Sequence, residues 1–209
     1  MSQKRIIGLT GGIATGKTTV ANYLAQAYQL PVLDADIYAR EAVDIGSPVL
    51  GRIIQRYGKD ILLKDNDGSL NRSKLGKIIF RDKQERLWLE GEIHPYVRNC
   101  FVKGLQQYLN QPKVVLVIPL LIEAKMTDLV TEIWVVACSE EEQLRRLMER
   151  DAKGDSFPRL SSEESRARIN TQIPLAKKIA LADIVLDNNL NQEYLIQQID
   201  VAVSQKANS

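Results

Sequence analysis

Five short apolar runs, rich in β-branched residues, recur along the chain. They occupy residues 6–9, 31–33, 114–118, 133–137 and 184–186. None of them alternates apolar and polar positions, which is typical of strands that are covered on both faces of a sheet. Longer segments with helical spacing lie between the runs; in the first of them, apolar side chains recur at Val20, Tyr23, Leu24, Ala27 and Tyr28. This alternation predicts an α/β fold with a parallel sheet flanked by helices.

Two stretches of the chain do not follow this alternation of strands and helices. Residues 48–111 contain helical patterns and no convincing strand, which predicts a helical insertion in a core formed by residues 1–47 and 112–209. Residues 151–172 mix Gly, Pro and Ser with arginines. They then resume as a helix with Ser161 or Ser162 as its N-cap and Glu164 or a neighbour completing a capping box. We expect this second stretch to be a flap, or lid, on a single domain.

The composition bounds the classes of function. With 209 residues, of which 44% are hydrophobic, the chain can bury a core as one compact domain. A formal net charge of +2 is too small for a general binder of nucleic acid or of anionic membranes. The two cysteines, Cys100 and Cys138, argue against a disulfide framework, and no apolar run approaches the ~20 residues of a membrane span. We expect a cytoplasmic protein without nucleic-acid or membrane partners and without an evident obligatory protein partner.

A glycine-rich stretch joins the first predicted strand to the first predicted helix. Gly11, Gly16, Lys17 and Thr18 match G-x-x-x-x-G-K-[ST] in the strand-to-helix context that the motif requires. Glycines let successive backbone N–H groups turn toward phosphate oxygens, and the start of the helix adds the positive end of its dipole. Lys17 is expected to bridge the β- and γ-phosphates of a nucleotide, and Thr18 to hold Mg²⁺. The residues predicted to bind the nucleotide are Gly11, Gly12, Ile13, Ala14, Thr15, Gly16, Lys17, Thr18 and Thr19.

Alternatives to a nucleotide-dependent transferase stay open at this point. A glycine turn can simply connect a strand to a helix, although a chance match to the whole motif arises only about once in a hundred such sequences. A GTPase-like switch is disfavoured because the chain has no N-K-x-D, and its two D-x-x-G matches, at Asp65 and Asp151, do not follow strands. The pattern favours a phosphotransferase and leaves a non-catalytic nucleotide switch as the other class.

Two aspartates end the second predicted strand. Asp34 and Asp36 are two residues apart, so their side chains project to the same side if the extended conformation persists. Ligands of open α/β sheets bind at the carboxyl ends of strands, where a carboxylate can accept a proton from a hydroxyl or hold Mg²⁺. Alternatively, Asp36 is the N-cap of a helix that begins at Ile37, and Arg40 pairs with it four residues on.

Several further motifs support one family. The segments LTGGIATGKTTVAN, DADIYAR, HPYV, VIPLLIE, QLRRLMERD, RINTQ and DIVLDNN occur in an order and spacing that resembles dephospho-coenzyme A kinases, over residues 6–189. The resemblance implies a P-loop kinase fold with a parallel core, a helical coenzyme A-binding domain and a lid. It implies ATP-dependent phosphorylation of the ribose 3′-hydroxyl of dephospho-coenzyme A, the last step of coenzyme A synthesis. A kinase of another nucleotide or nucleoside is the alternative enzyme.

The resemblance also implies roles for single residues. Asp36 would be the catalytic base, and Asp34 would support Mg²⁺ or the substrate hydroxyl. Arg146 would join Lys17 in catalysis as a phosphate contact from the lid side, and Arg150 would contact ATP. From the residues alone, these arginines can equally belong to a solvated helix face with neighbouring glutamates.

Three residues are implied on the substrate side: Arg40, His94 and Glu123. Ordinary ion pairing is the alternative for Arg40 and Glu123, and a helix-end or packing position is the alternative for His94, which precedes a proline. The DNN at residues 187–189 resembles a loop beside the nucleotide base, although polar turn residues look the same. Ala14 stands where the family often has glycine, and we expect its methyl group to be tolerated if φ is negative.

Overall fold

The computed structural model describes residues 4–64, 68–153 and 161–205. A five-stranded parallel sheet contains all five predicted strands, in the order β2-β3-β1-β4-β5. The strands are β1 (Arg5–Gly11), β2 (Val32–Asp34), β3 (Lys113–Val117), β4 (Glu132–Ala137) and β5 (Ile184–Asp187). The predicted α/β fold class is therefore confirmed.

The chain forms two compact units. One consists of Met1–Leu33 and Gln107–Ser209, and the other of Asp34–Gln106, whereas the sequence suggested boundaries near residues 48 and 111. The helices in the first unit are α1 (Lys17–Ala27), α6 (Glu140–Lys153), α7 (Ser162–Ile169), α8 (Leu175–Ile179) and α9 (Gln192–Ser204). Those in the second are α2 (Ala35–Glu41), α3 (Pro48–Tyr57), α4 (Arg72–Arg81) and α5 (Lys83–Gln107). Over the described ranges, none of the helices combines the length and the apolar character that a bilayer crossing requires.

The register of the sheet brings three loops to one edge. Gly11, the last residue of β1, lies opposite Val136 of β4. Ala137, at the end of β4, lies opposite Asp187 at the end of β5. Because these strands are parallel, the glycine-rich loop, the start of α6 and the turn after β5 all follow carboxyl ends at the same edge.

The core of the first unit packs around the interior strands of the sheet, β3, β1 and β4. Trp134 is fully buried between apolar side chains of the sheet and its covering helices. The cluster consists of Ile7, Leu9, Val20, Ala21, Leu24, Val115, Val117, Trp134, Val136, Leu186, Leu195, Ile199, Ala202 and Val203. Helices α1 and α9 both contribute to it, so the start of α1 is anchored by packing as well as by the loop before it.

The second unit has its own apolar cluster. It is built from Val43, Val49, Leu50, Ile53, Ile61, Leu70, Leu75 and Leu89. Helix α3 begins where Ser47 accepts a hydrogen bond from the Leu50 amide at 3.0 Å and Pro48 takes the first helical position. Across the described part of this unit, β pairing beyond β2 amounts to an isolated bridge between Leu62 and Leu70.

The predicted capping box is present at the start of α7. Ser161 Oγ accepts from the Glu164 amide at 3.1 Å, and the Ser161 amide donates to Glu164 Oε2 at 2.8 Å. The N-cap is therefore Ser161 rather than Ser162. The part of the predicted lid at residues 154–160 and Asp65, which begins one of the D-x-x-G matches, lie outside the described residues.

Candidate phosphate-binding site

The glycine-rich loop runs from the end of β1 to the first residue of α1. Gly16 is the N-cap and has a left-handed backbone conformation, with φ 103° and ψ 18°. Its carbonyl accepts from the amides of Thr19 and Val20 at 3.0 and 3.2 Å, which closes the first helical turn. No side chain caps this helix and no acidic residue lies in its first turn, in a segment that the structure describes completely. The positive end of the helix dipole is thus available to an anion.

Neighbouring side chains require glycine at two positions of the loop. A Cβ atom on Gly12 would lie 2.4 Å from Gln143 Nε2, and a Cβ atom on Gly16 would lie 2.3 Å from Asn188 Nδ2. Both side chains are held in place by hydrogen bonds to the loop, so they have little freedom to withdraw. Contacts from α6 and from the turn after β5 therefore leave no room for a side chain at Gly12 or at the motif glycine Gly16.

Gln143 and Asn188 also orient the peptides of the loop. Gln143 Nε2 donates to the carbonyl oxygen of Ile13 at 2.7 Å, and Asn188 Nδ2 donates to that of Thr15 at 2.8 Å. In a planar trans peptide, the C=O and N–H groups point in opposite directions. The N–H groups of Ala14 and Gly16 consequently point away from these two side chains, as a phosphate cradle requires.

Neither of these two residues was assigned this role from the sequence. Gln143 and Asn188 are 4% and 8% exposed, which is unusual for amide side chains and indicates that their hydrogen bonds are structural. The sequence placed Asn188 only in a loop implied to lie beside the base. Gln143 opens the QLRRLMERD segment of the family resemblance, but nothing local in the sequence indicates its contact with the loop.

The Lys17 side chain folds back onto the loop. Its Nζ atom is 3.2 Å from the carbonyl oxygen of Gly11 and 2.6 Å from that of Gly12. The side chain is partly buried, whereas Thr18 and Thr19 are exposed at the start of α1. The ammonium group and the hydroxyl of Thr18 therefore belong to the same turn of chain as the inward-facing amides.

Arg146 lies beside the glycine-rich loop and is partly buried, whereas its neighbour Arg145 is exposed. Arg146 Nη2 donates to the carbonyl oxygen of Asn188 at 2.9 Å, and its Nη1 lies 4.0 Å from the position of a Cβ atom on Gly16. Its Nε atom is 2.6 Å from Glu142 Oε1. Arg145 also binds Glu142 but is exposed. The alternative of a solvated face with neighbouring glutamates describes Arg145, whereas Arg146 combines its pairing with Glu142 with a contact to the turn after β5.

The carboxyl group that binds Arg146 has a lowered pKa. Hydrogen bonds from Arg145 lower the pKa of Glu142 to about 2, against an opposing effect of burial and with a further contribution from Arg146. Glu142 therefore keeps its negative charge at neutral pH. Arg150, four residues beyond Arg146 on α6, is exposed.

Ala14 differs from its sequence-based expectation. Its φ is 59°, in the left-handed region, and not negative as a tolerated methyl group would need. The loop turns sharply at this residue, and a left-handed conformation costs an L-residue with a Cβ atom about 1–2 kcal/mol. The glycine that the family often has at this position is free of that cost.

The two aspartates after β2 adopt a different arrangement from the predicted one. Helix α2 begins at Ala35, so the extended conformation does not persist from Asp34 to Asp36 and their side chains do not share a strand face. Asp34 is the N-cap: its Oδ1 atom accepts from the Asp36 amide at 2.7 Å. The proposed cap role of Asp36 is therefore wrong. Its side chain is exposed in the first turn of α2.

Asp34 has a perturbed carboxyl group. Burial raises its pKa, and the hydrogen bond from the Asp36 amide offsets part of this effect. The capping interaction explains why the helix starts earlier than predicted, since an aspartate that satisfies a free N–H group stabilises the first turn. It also fixes the backbone position of Asp36.

Arg40 and His94 both lie in the second unit. The Arg40 side chain is exposed, and its backbone carbonyl accepts from Arg72 Nη2 at 3.1 Å. His94 lies within α5 with Pro95 after it, so a helix-end position is wrong. Burial lowers the pKa of His94, with an opposing effect of Glu90, so its surroundings favour the neutral imidazole.

Glu123 follows β3 and forms an ion pair. Its Oε1 atom is 3.0 Å from Lys178 Nζ and accepts from the Ile173 amide at 3.2 Å. The structure thus brings the glycine-rich loop, Lys17 and Arg146 together in the first unit and connects Glu123 to the segment after α7. Asp36, Arg40 and His94 are positioned by the helices of the second unit.

Known proteins match this chain along most of its length. The sequence profile of the dephospho-CoA kinase family matches residues 5–193. A dephospho-CoA kinase of Trichormus variabilis is 60% identical over 201 residues, which cover 96% of this chain and 97% of the relative.

Solved structures agree with these sequence matches. A Thermus thermophilus protein aligns with a TM-score of 0.77 at 33% identity and 97% coverage of both chains. The dephospho-CoA kinase of Campylobacter jejuni aligns with a TM-score of 0.69 at 27% identity and 96% coverage of both chains.

Proposed function

Because this chain belongs to the dephospho-CoA kinase family, we propose that its glycine-rich loop binds the triphosphate of ATP and that Asp36 activates the acceptor hydroxyl. The family reaction transfers the γ-phosphoryl group of ATP to the ribose 3′-hydroxyl of dephospho-coenzyme A and gives ADP and coenzyme A. The orientation of the loop by Gln143 and Asn188 is the observation that carries the proposal. These two hydrogen bonds fix the directions of the Ala14 and Gly16 amides.

The groups around the loop suit a polyphosphate. Inward-facing amides, the free end of the α1 dipole and the Lys17 ammonium group all favour negative charge. Arg146, held beside Gly16 by Glu142 and Asn188, is proposed to stabilise the charge that gathers on the transferring oxygens. Arg150 is proposed as a further ATP contact.

Magnesium is proposed as the accompanying metal ion. The exposed hydroxyl of Thr18 is a suitable oxygen ligand, and Mg²⁺ in kinases needs few protein ligands because phosphate oxygens and water complete its octahedron. Asp34 is the second proposed ligand; burial raises its pKa, so a cation near it would favour the charged form. When bound, Mg²⁺ supplies charge neutralisation on the β- and γ-phosphate oxygens.

Asp36 is proposed as the general base. Its carboxylate takes the proton of the 3′-hydroxyl as the oxygen attacks the γ-phosphorus, and the bond to the β–γ bridging oxygen breaks to release ADP. The hydrogen bond between its amide and Asp34 fixes Asp36 at the start of α2. An exposed carboxylate on a capped helix end combines access to a substrate with a fixed backbone position.

The remaining assignments follow from the resemblance and stay proposals. The helices of residues 48–111 would bind coenzyme A, with Arg40, His94 and Glu123 on the substrate side. Residues 151–172 would act as a lid that excludes water during transfer. The proposed cytoplasmic setting agrees with the two free cysteines, Cys100 and Cys138. Independence from protein partners stays a prediction from the sequence.

A panel of acceptors tests the proposed function. We expect the chain to phosphorylate dephospho-coenzyme A with ATP, and ³¹P spectra of the product to show a new phosphomonoester on the 3′ position. Transfer to nucleoside monophosphates with none to dephospho-coenzyme A would reverse the assignment of the acceptor. A non-catalytic switch would change shape with nucleotide but release no ADP in response to any acceptor.

A further inference from the structure

Lys178 is a fully buried lysine that the reaction scheme above does not use. Its side chain is 0% exposed, although it lies on the short helix α8 directly after the exposed Lys177. A buried ammonium group needs compensating partners. Its Nζ atom donates to the carbonyl oxygen of Pro119 at 2.8 Å and lies 3.0 Å from Glu123 Oε1. Both partners belong to the loop that follows β3.

The same carbonyl oxygen is connected to the strand that carries the phosphate-binding loop. Thr10 Oγ1 donates to the Pro119 oxygen at 3.1 Å. Thr10 is itself 0% exposed and immediately precedes Gly11. A carbonyl oxygen has two lone pairs, so it can accept from Thr10 and Lys178 together. Thr10 and Lys178 therefore share one acceptor. Through it, the Lys178 ammonium group is linked to the residue that precedes the phosphate-binding loop.

The other partner of Lys178 leads to the chain segment that returns from α7. Glu123 Oε1 accepts from the amide of Ile173, and Ile173 precedes Pro174, the N-cap of α8. Two points of the short segment from Ile173 to Lys178 are thus fixed on one carboxylate. We call Thr10, Pro119, Glu123, Ile173 and Lys178 the lid-root network, since α7 belongs to the proposed lid.

We propose that Lys178 is a positioning residue for phosphoryl transfer: through the lid-root network, it sets the place of the segment after α7 relative to the end of β1. This inference rests on the proposed kinase reaction and adds a requirement for its geometry. Stability alone is a weak reason for such a pair, because apolar residues of similar volume are often at least as stabilising as a buried ion pair. Directional bonds to a backbone carbonyl and a backbone amide instead fix distances between chain segments.

The expected consequence concerns the fate of the γ-phosphoryl group. If the lid is displaced, transfer to the acceptor falls because a misplacement of about 1 Å costs on the order of 10² in rate. Water then competes for the same phosphorus atom. A lid in the wrong place therefore lowers the ratio of coenzyme A formed to ATP hydrolysed. A variant that is simply less folded loses both activities together and keeps the ratio of the native enzyme.

Lys178→Met and the double variant Lys178→Met/Glu123→Gln test this role, with Lys177→Met as the matched exposed control. Coenzyme A and total ADP are measured at saturating ATP and dephospho-coenzyme A, alongside thermal unfolding. Glu123→Gln alone, measured in the same way, separates any substrate-side role of Glu123 from the role of Lys178. In Lys178→Met, we expect a loss of roughly 10²-fold in transfer, a lower ratio of transfer to hydrolysis and a lower melting temperature.

The double variant separates positioning from folding. It removes the unpaired buried carboxylate, so we expect its melting temperature to recover, while transfer and the ratio stay low because the bond to Pro119 is still missing. Recovery of native transfer together with stability would overturn the positioning role, as would an unchanged ratio in a folded double variant. Lys177→Met should match the native enzyme. If the native enzyme itself fails to phosphorylate dephospho-coenzyme A, the proposed function fails instead.

Discussion

The side chain of Gln143 connects helix α6 to the phosphate-binding loop by donating from Nε2 to the carbonyl oxygen of Ile13 at 2.7 Å. The residue is 4% exposed, and its amide lies where a Cβ atom on Gly12 would have to be. This side chain therefore links the helix that bears Arg146 directly to the loop that would bind ATP. The loop is prepared for phosphate by contacts made far away in the sequence.

Replacing Gln143 by alanine should weaken ATP binding. The Ile13 carbonyl would lose its partner in a partly buried setting, which costs on the order of 1 kcal/mol, and the Ala14 amide would lose its fixed direction. We expect the Kd for ATP to rise about tenfold or more, measured by titration calorimetry at constant Mg²⁺. Glu141→Ala is the matched control, because Glu141 is exposed on the same helix. Equal ATP affinity in the two variants would contradict the role of Gln143.

Replacing Asp36 by asparagine tests the proposed base. Asparagine keeps the size of the side chain but cannot take the proton of the acceptor hydroxyl, and general-base catalysis typically contributes ~10²–10⁴-fold. We expect kcat at saturating substrates to fall by at least two orders of magnitude, with ATP affinity little changed. Asp60→Asn, at an exposed position of the same unit, serves as the control. A loss below about tenfold would assign the proton transfer elsewhere.

Much of the architecture follows from features that are local in the sequence. The five strands, the helix after the glycine-rich loop and the capping box at Ser161 and Glu164 are each encoded within a few residues. An apolar run without alternation, or a hydroxyl three residues before a glutamate, has the same meaning in many folds. These elements were therefore predictable without knowledge of their neighbours.

The parts that were not predicted depend on contacts between distant positions. Gln143 is 130 residues from Ile13 along the chain, and Asn188 is 173 residues from Thr15. Lys177 and Lys178 are adjacent and chemically identical, yet one is exposed and the other fully buried. The error at Asp36 has a local cause: Asp34 caps the helix first, so α2 starts before the residue expected to cap it.

Ala14→Gly should stabilise the protein. Ala14 has a φ of 59°, a conformation that glycine adopts without a Cβ clash, whereas it costs alanine about 1–2 kcal/mol. Part of this gain is offset by the greater entropy of glycine in the unfolded chain, so we expect a net increase of roughly 1 kcal/mol in the free energy of unfolding by urea.

Ala25→Gly is the comparison variant, and we expect it to lower the free energy of unfolding. Ala25 lies within α1, where a glycine typically destabilises a helix by about 1 kcal/mol. If Ala14→Gly also lowers the free energy of unfolding, the left-handed conformation of Ala14 does not persist in solution.

Glu142 should make the protein sensitive to acid in a defined range. Hydrogen bonds from Arg145, against the effect of burial and with help from Arg146, lower its pKa in the folded state to about 2, from 4.5 for an unperturbed glutamate. A carboxyl group whose pKa is lowered by folding stabilises the protein above its unfolded-state pKa and loses that contribution as the pH falls toward its folded-state pKa. We therefore expect the urea midpoint of the native protein to decrease between about pH 4.5 and pH 2 by more than that of Glu142→Gln.

The carboxyl group of Glu142 lies near the surface, so the difference between the two proteins should shrink in high salt. Glu141→Gln, an exposed neighbour, should behave like the native protein, and parallel pH profiles for native and Glu142→Gln proteins would show that the arginine contacts do not hold Glu142 in solution.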